Sequence, residues 1–137
     1  MKIREVMTLN PVTLDASTPV MKAAEAMREN DIGDVVVRYD GKLCGIVTDR
    51  DIVVRVLATG KDPKATTLES VCSHDMLTLS PDQDTADAIR LMRERAIRRL
   101  PVVENNKLLG IVSLGDLACV LDPHSTLGDI SSASPSH

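Results

Sequence analysis

At 137 residues the chain has room for one compact unit or two small ones, which excludes a large multidomain enzyme. Its 16 Lys and Arg against 20 Asp and Glu leave a formal charge of −4, so no positive surplus exists for holding nucleic acid non-specifically. Tyr39 is the whole aromatic content, which removes base-stacking platforms and leaves aliphatic and Met side chains, Met7, Met21, Met27 and Met92 among them, to fill the core.

From the N-terminus, Met1-Lys2-Ile3-Arg4-Glu5 leads into no long apolar run, and nowhere do roughly 18 apolar residues follow one another. The sequence therefore predicts a soluble, cytoplasmic protein without export leader or membrane span. A short extended piece, Val12-Thr13-Leu14, comes first. It precedes a helix in which Val20, Ala23, Ala24 and Met27 recur at three- and four-residue steps. Thr18 before Pro19 predicts an N-cap followed by proline at the first helical position. Two β-rich runs, Val35-Val36-Val37 and Cys44-Gly45-Ile46-Val47, turn at Asp40-Gly41. A second helix starts near Thr48 and carries Ile52, Val53, Val56 and Leu57. Gly60 and Pro63 then break the pattern, making residues 58–67 a connector.

After the connector the order begins again. With an offset of 65, residues 6–52 lie over 71–117 without a gap, and 15 of those 47 positions are identical. Met27-Arg28-Glu29 meets Met92-Arg93-Glu94, Gly45-Ile46-Val47 meets Gly110-Ile111-Val112, and Asp51 meets Asp116. The second copy reads Leu77-Thr78-Leu79, a helix carrying Ala88, Ile89 and Met92 and capped by Asp82 or Asp84, then Leu100-Pro101-Val102-Val103 and Leu109-Gly110-Ile111-Val112 turning at Asn105-Asn106, and a helix from Ser113. The expected fold is α/β (α+β): two strand–helix–strand–strand–helix copies, 1–57 and 68–121, each too small to be comfortable alone and expected to pack through their sheets. Residues 122–137, poor in apolar side chains, are predicted to be a mobile tail.

Cys44, Cys72 and Cys119, odd in number and far apart, fit buried, inert thiols better than a disulfide framework. His74 near Cys72 and His124 near Cys119 lack the paired spacing of a metal site, and no nucleophile motif accompanies His74, His124 or His137. The sequence thus predicts neither metal site nor enzyme. Arg90, Arg93 and Arg95 read as a solvated helix face with an Arg90–Glu94 pair.

The chemistry concentrates in Gly45-Ile-Val-Thr-Asp-Arg-Asp51 and its echo Gly110-Ile-Val-Ser-Leu-Gly-Asp116. A hydroxyl ends each strand and an aspartate lies three positions on, in the first turn of a helix. Hydroxyl and helix N–H groups can donate to phosphate, and a carboxylate can accept both hydroxyls of a ribose. The same spacing also describes a capping box, Thr48 or Ser113 with Asp51 or Asp116, although Glu or Gln is the usual partner.

These strand-end motifs, the doubled plan and Ile97-Arg98-Arg99-Leu100-Pro101-Val102 resemble a tandem pair of cystathionine β-synthase (CBS) domains, a Bateman module, over residues 1 to about 121. The resemblance implies regulatory binding of AMP, ADP, ATP, NAD or S-adenosylmethionine, homodimerisation, no catalysis, and output through an effector partner. It further implies two ligand clefts, each shared between the copies. In the first, Thr48, Arg50 and Asp51 would face Met76, Leu77, Ile97, Arg98, Arg99 and Pro101. In the second, Ser113 and Asp116 would face Asn10, Pro11, Val12, Ile32, Gly33, Asp34 and Val35. Arg98 and Arg99 would favour phosphate in the first and Asp34 would repel it in the second, so the first is expected to bind anionic nucleotides more strongly. A structural or stress-associated interaction protein, in which both motifs serve merely as caps, is the other reading.

Overall fold

The computed structural model describes residues 1–72 and 76–133. In chain order these hold β1 (Thr8–Leu9), β2 (Thr13–Asp15), α1 (Val20–Asn30), β3 (Asp34–Tyr39), β4 (Lys42–Thr48), α2 (Asp49–Ile52), α3 (Thr85–Arg95), β5 (Arg99–Glu104), β6 (Lys107–Ser113), α4 (Leu114–Leu121) and α5 (Thr126–Ser131). Single 3-10 turns lie at Ile3–Glu5 and Leu68–Ser70, and a π-helical turn, Val53–Leu57, continues α2. The chain divides into two compact units: Pro11–Met76, and Met1–Asn10 together with the chain from Leu77 onward. The architecture is mixed α and β, with one three-stranded sheet in each unit.

In the first unit β2 runs parallel to β3, and β3 pairs antiparallel with β4, Asp34 standing opposite Thr48. The second unit pairs β5 antiparallel with β6, Arg99 opposite Ser113, and adds β1 antiparallel to β6. Both hairpins turn through two residues with positive φ, Asp40 and Gly41 (51° and 75°) or Asn105 and Asn106 (52° and 62°). Such turns match the right-handed twist of the strands they join. Each hairpin also carries a bulge at the same place, between Val37 and Arg38 and between Val102 and Val103, which leaves Cys44 and Leu109 as the extra residues.

Each unit has its own apolar core. Val20, Ala23 and Met27 of α1 pack on Val35, Val37 and Val47 of the sheet, with Ile52 and Val56. Ala88 and Met92 of α3 pack on Leu100, Val102 and Val112, with Leu117. The 3-10 turns complete these cores crosswise. Leu68 and Val71 join the core of the first copy; their equivalents Ile3 and Val6 join that of the second. Leu68 N–H donates to the Thr18 carbonyl, and Ile3 N–H to that of Gln83. Duplicated sequence and packed unit are therefore different divisions of this chain.

Several local expectations shift. The helix α1 begins one residue later than predicted: Pro19 is its cap, with extended backbone and no side-chain bond, and Thr18 does not cap. The linker supplies the missing acceptors, because Val20 and Met21 N–H donate to the carbonyls of Thr66 and Pro63. In α3 it is Asp84 that caps, accepting from Ala86 N–H at 2.9 Å, while Asp82 accepts from Arg4 at 2.9 Å. Those bonds hold both carboxyls below their ordinary range, Asp82 through Arg4 and Asp84 chiefly through the Ala86 amide. Arg90 pairs with Asp87 at 3.4 Å rather than with Glu94.

The expected tail contains α5. Ser125 caps it, accepting from Gly128 N–H at 3.0 Å, and buried Gly128 lies so close to the end of α4 that an added Cβ would meet the carbonyls of Asp122 and Ala118. Composition missed this helix because close backbone approach, rather than apolar side chains, docks it.

Candidate functional site

Each sheet ends where its last strand runs into a helix, and both junctions are built alike. Thr48 Oγ1 accepts from Asp51 N–H at 3.1 Å while Thr48 N–H donates to Asp51 Oδ2 at 2.9 Å. Ser113 and Asp116 repeat the reciprocal pair at 3.0 and 2.9 Å. The capping box is thus formed twice, with the shorter aspartate in place of glutamate. A box of this kind uses the hydroxyl as acceptor and one carboxylate oxygen. The hydroxyl hydrogen and the second oxygen remain outside it.

The second oxygen distinguishes the two junctions. Asp51 Oδ1 lies 3.7 Å from Arg55 Nε, one turn further on, and the Asp51 side chain is 19% exposed. Arg55 Nη1 in turn donates to the Val71 carbonyl at 3.2 Å. Arg55 sits on the π-helical turn, a helix form that frequently marks functional positions. The only signal for Arg55 in the sequence is its spacing of four from Asp51, which puts the two side chains on one helix face. At Asp116 no such ion pair occurs among the described residues. There Gly115 stands where the first copy has Arg50, and Ser131 at the end of α5 fills the space: its Oγ is 3.1 Å from where a Cβ on Gly115 would lie.

Within the first unit the Thr48 junction adjoins the segment Ile32, Gly33, Asp34 and Val35, since Asp49 N–H donates to the Gly33 carbonyl and Asp34 pairs with Thr48. Within the second, the Ser113 junction adjoins Ile97, Arg98, Arg99 and Pro101, with Leu114 N–H donating to the Arg98 carbonyl. Arg50, Arg98 and Asn10 are exposed; Arg99, Met76, Leu77, Pro11 and Val12 are partly buried; Val35 and Pro101 are buried. Thr48, Arg50, Asp51, Met76, Pro11, Val12 and Ile32 to Val35 belong to the first unit. Asn10, Leu77, Ile97 to Pro101, Ser113 and Asp116 belong to the second.

The remaining chemistry is sparse. Of the cysteines only Cys72 is buried, while Cys44 and Cys119 are partly exposed, which corrects the expectation of three buried thiols. No group of three metal-ligating side chains occurs among the described residues, and His74 and His137 lie outside them. Among the described residues no helix is long and apolar enough to cross a membrane. A groove of about 540 Å³ runs between α3 and α4, lined by Ile89, Ile97, Leu114, Leu117 and Leu121 with Arg93 and Arg98.

A model of the CBS domain matches residues 3–58 and again residues 68–130. The chain belongs to the CBS-domain family. Its two CBS repeats are 38% identical over 116 residues to the CBS domain-containing protein YhcV of Bacillus subtilis, covering 85% of this chain and 82% of that one. Hypoxic response protein 1 of Mycobacterium tuberculosis is 32% identical over 123 residues, covering 89% and 86%. Among solved structures, Hypoxic Response Protein I with two coordinated zinc ions superposes with a TM-score of 0.79 at 31% identity, over 86% of this chain and 97% of that one. A hexameric CBS-CP12 protein from bloom-forming cyanobacteria gives 0.79 at 31%, over 90% and 72%. Fold and duplication in this chain are those of a tandem CBS protein.

Proposed function

We propose that this CBS pair is a regulatory module that binds an adenosine-containing ligand at its strand-to-helix junctions and passes the signal to a partner protein, without catalysing a reaction. The supporting observation is the twice-built junction: in each repeat a hydroxyl hydrogen and a carboxylate oxygen lie outside the capping box, the donor and acceptor that a phosphate and a ribose require. AMP, ADP, ATP, NAD and S-adenosylmethionine share that adenosine part.

The Thr48 junction is proposed as the stronger site. Arg50 flanks it, whereas α5 places Ser131 beside Gly115 at the other. Cross-strand neighbours pull the opposite way, since Asp34 faces Thr48 and Arg99 faces Ser113. Titration calorimetry with AMP separates the two. Asp51→Asn, which keeps the shape of the cap, is expected to lose a charged acceptor contributing about 1.5–3 kcal/mol, a fall of tenfold or more, with a smaller loss for Asp116→Asn. Equal losses, or a larger one at Asp116, overturn the ranking.

The capping boxes themselves favour the other reading, an interaction protein whose T-x-x-D motifs only close helices. Thermal unfolding with each of the five ligands decides between the two. A specific ligand at 100 times its dissociation constant stabilises by about 2.7 kcal/mol, and no shift with any of them leaves the interaction protein. We further propose self-association through the α3–α4 groove, where Ile89, Leu114 and Leu121 are exposed, in keeping with the hexameric relative.

A further inference from the structure

We infer that Cys44 and Cys72 form an oxidisable dithiol, a modification site at which a peroxide closes an intrachain disulfide between the bulge of β4 and the residue just past the 3-10 turn Leu68–Ser70.

The two sulfurs lie 3.6 Å apart although 28 residues separate them. A disulfide has its sulfurs about 2.05 Å apart, so closure asks for an approach of about 1.5 Å. The approach falls to Cys44. It is the extra residue of the bulge in an edge strand, where the ladder is already interrupted. Cys72 is held, its N–H donating to the Leu68 carbonyl at 2.9 Å and its sulfur 3.8 Å from the Glu69 carbonyl.

The duplication supplies an internal comparison. In the second repeat the equivalents of Cys44 and Cys72 are Leu109, the extra residue of its own bulge, and Met7, packed against its core. The fold therefore asks only for apolar filling at these two places. One repeat satisfies it with two thiols in contact.

Burial, with the bond to Cys44, pushes Cys72 up to about 12, so Cys72 keeps its proton at neutral pH. Cys44, the more exposed of the two, reacts first. Its sulfur attacks one peroxide oxygen, an S–O bond forms, the O–O bond breaks, and hydroxide takes a proton to leave as water. Cys72 sulfur then attacks the resulting sulfenic acid of Cys44. The S–S bond forms, the S–O bond breaks, and the departing hydroxide takes the Cys72 proton as the second water. The two sulfurs lose two electrons and the peroxide gains them. The cross-link ties β4, four residues before Thr48, to the chain leading to Met76.

The test uses the full chain with a metal chelator and graded hydrogen peroxide. The mass is expected to fall by about 2 Da, with a proteolytic peptide joining Cys44 to Cys72. Only Cys119 should then alkylate after denaturation, and dithiothreitol should restore all three thiols. Cys44→Leu and Cys72→Met, which copy the filling of the second repeat and so keep the fold, should each abolish the joined peptide, whereas Cys119→Ser should leave it. Sulfinic acid accumulating on Cys44, cross-links only between chains, or three alkylatable thiols after peroxide has oxidised free cysteine would overturn the proposal.

Discussion

Ala96 ends α3 in the left-handed conformation, φ 53°, with its N–H on the Met92 carbonyl, just as Asp31 ends α1 at φ 52° with its N–H on Met27. Asp tolerates that conformation through local hydrogen bonding, but the Cβ of alanine is strained there. Ala96→Gly is therefore expected to raise stability in urea unfolding by about 0.5–1 kcal/mol, the relief of strain exceeding the entropy glycine adds to the unfolded chain. A lower midpoint would mean that the methyl group packs usefully in the α3–α4 groove it lines. At this scale the sequence was legible where partners are near neighbours. The Thr48–Asp51 and Ser113–Asp116 boxes followed from a spacing of three. The Cys44–Cys72 contact could not, because only the folded sheet and the returning linker bring those sulfurs together.

Among the elements, strands and long helices were legible because alternation and three-to-four spacing report the buried face directly, as Val35 and Val37 or Ala88 and Met92 do. The ends of α1 and the whole of α5 were not, since they depend on acceptors and space supplied by other segments. For α5 the space is at Gly128. Gly128→Ala places a methyl group against the Asp122 and Ala118 carbonyls, neither of which is a flexible side-chain end. The expected cost is about 1–3 kcal/mol, released by undocking of α5. Limited proteolysis checks it: cleavage within residues 126–131 should quicken in the variant while residues 99–113 stay protected. Unchanged cleavage would show that α5 is held by something other than this close approach. Undocking also removes Ser131 from Gly115, so the same variant uncovers the Ser113 junction.

For the whole molecule, the duplication was plain in the sequence, but the exchange of leading turns was not, because a repeat found by sliding a chain along itself says nothing of which copy each piece packs in. Ile3 and Leu68 occupy equivalent positions and are both fully buried, each in the core of the other copy. The bridges that seat them are equivalent too, Lys2 to Asp84 and Thr67 to Pro19. Truncating either to alanine leaves a cavity costing about 2–5 kcal/mol. The location of the damage is the distinctive outcome. In native-state hydrogen exchange, Ile3→Ala is expected to lower protection in β5 and β6, far along the chain, while sparing β3 and β4. Leu68→Ala should lower it in β3 and β4. Loss confined to the copy in which each substitution lies would contradict the exchanged packing. The crossed result would mean that neither copy, cut at its sequence boundaries, carries a complete core, so a chain of this kind reaches its fold only with both repeats present.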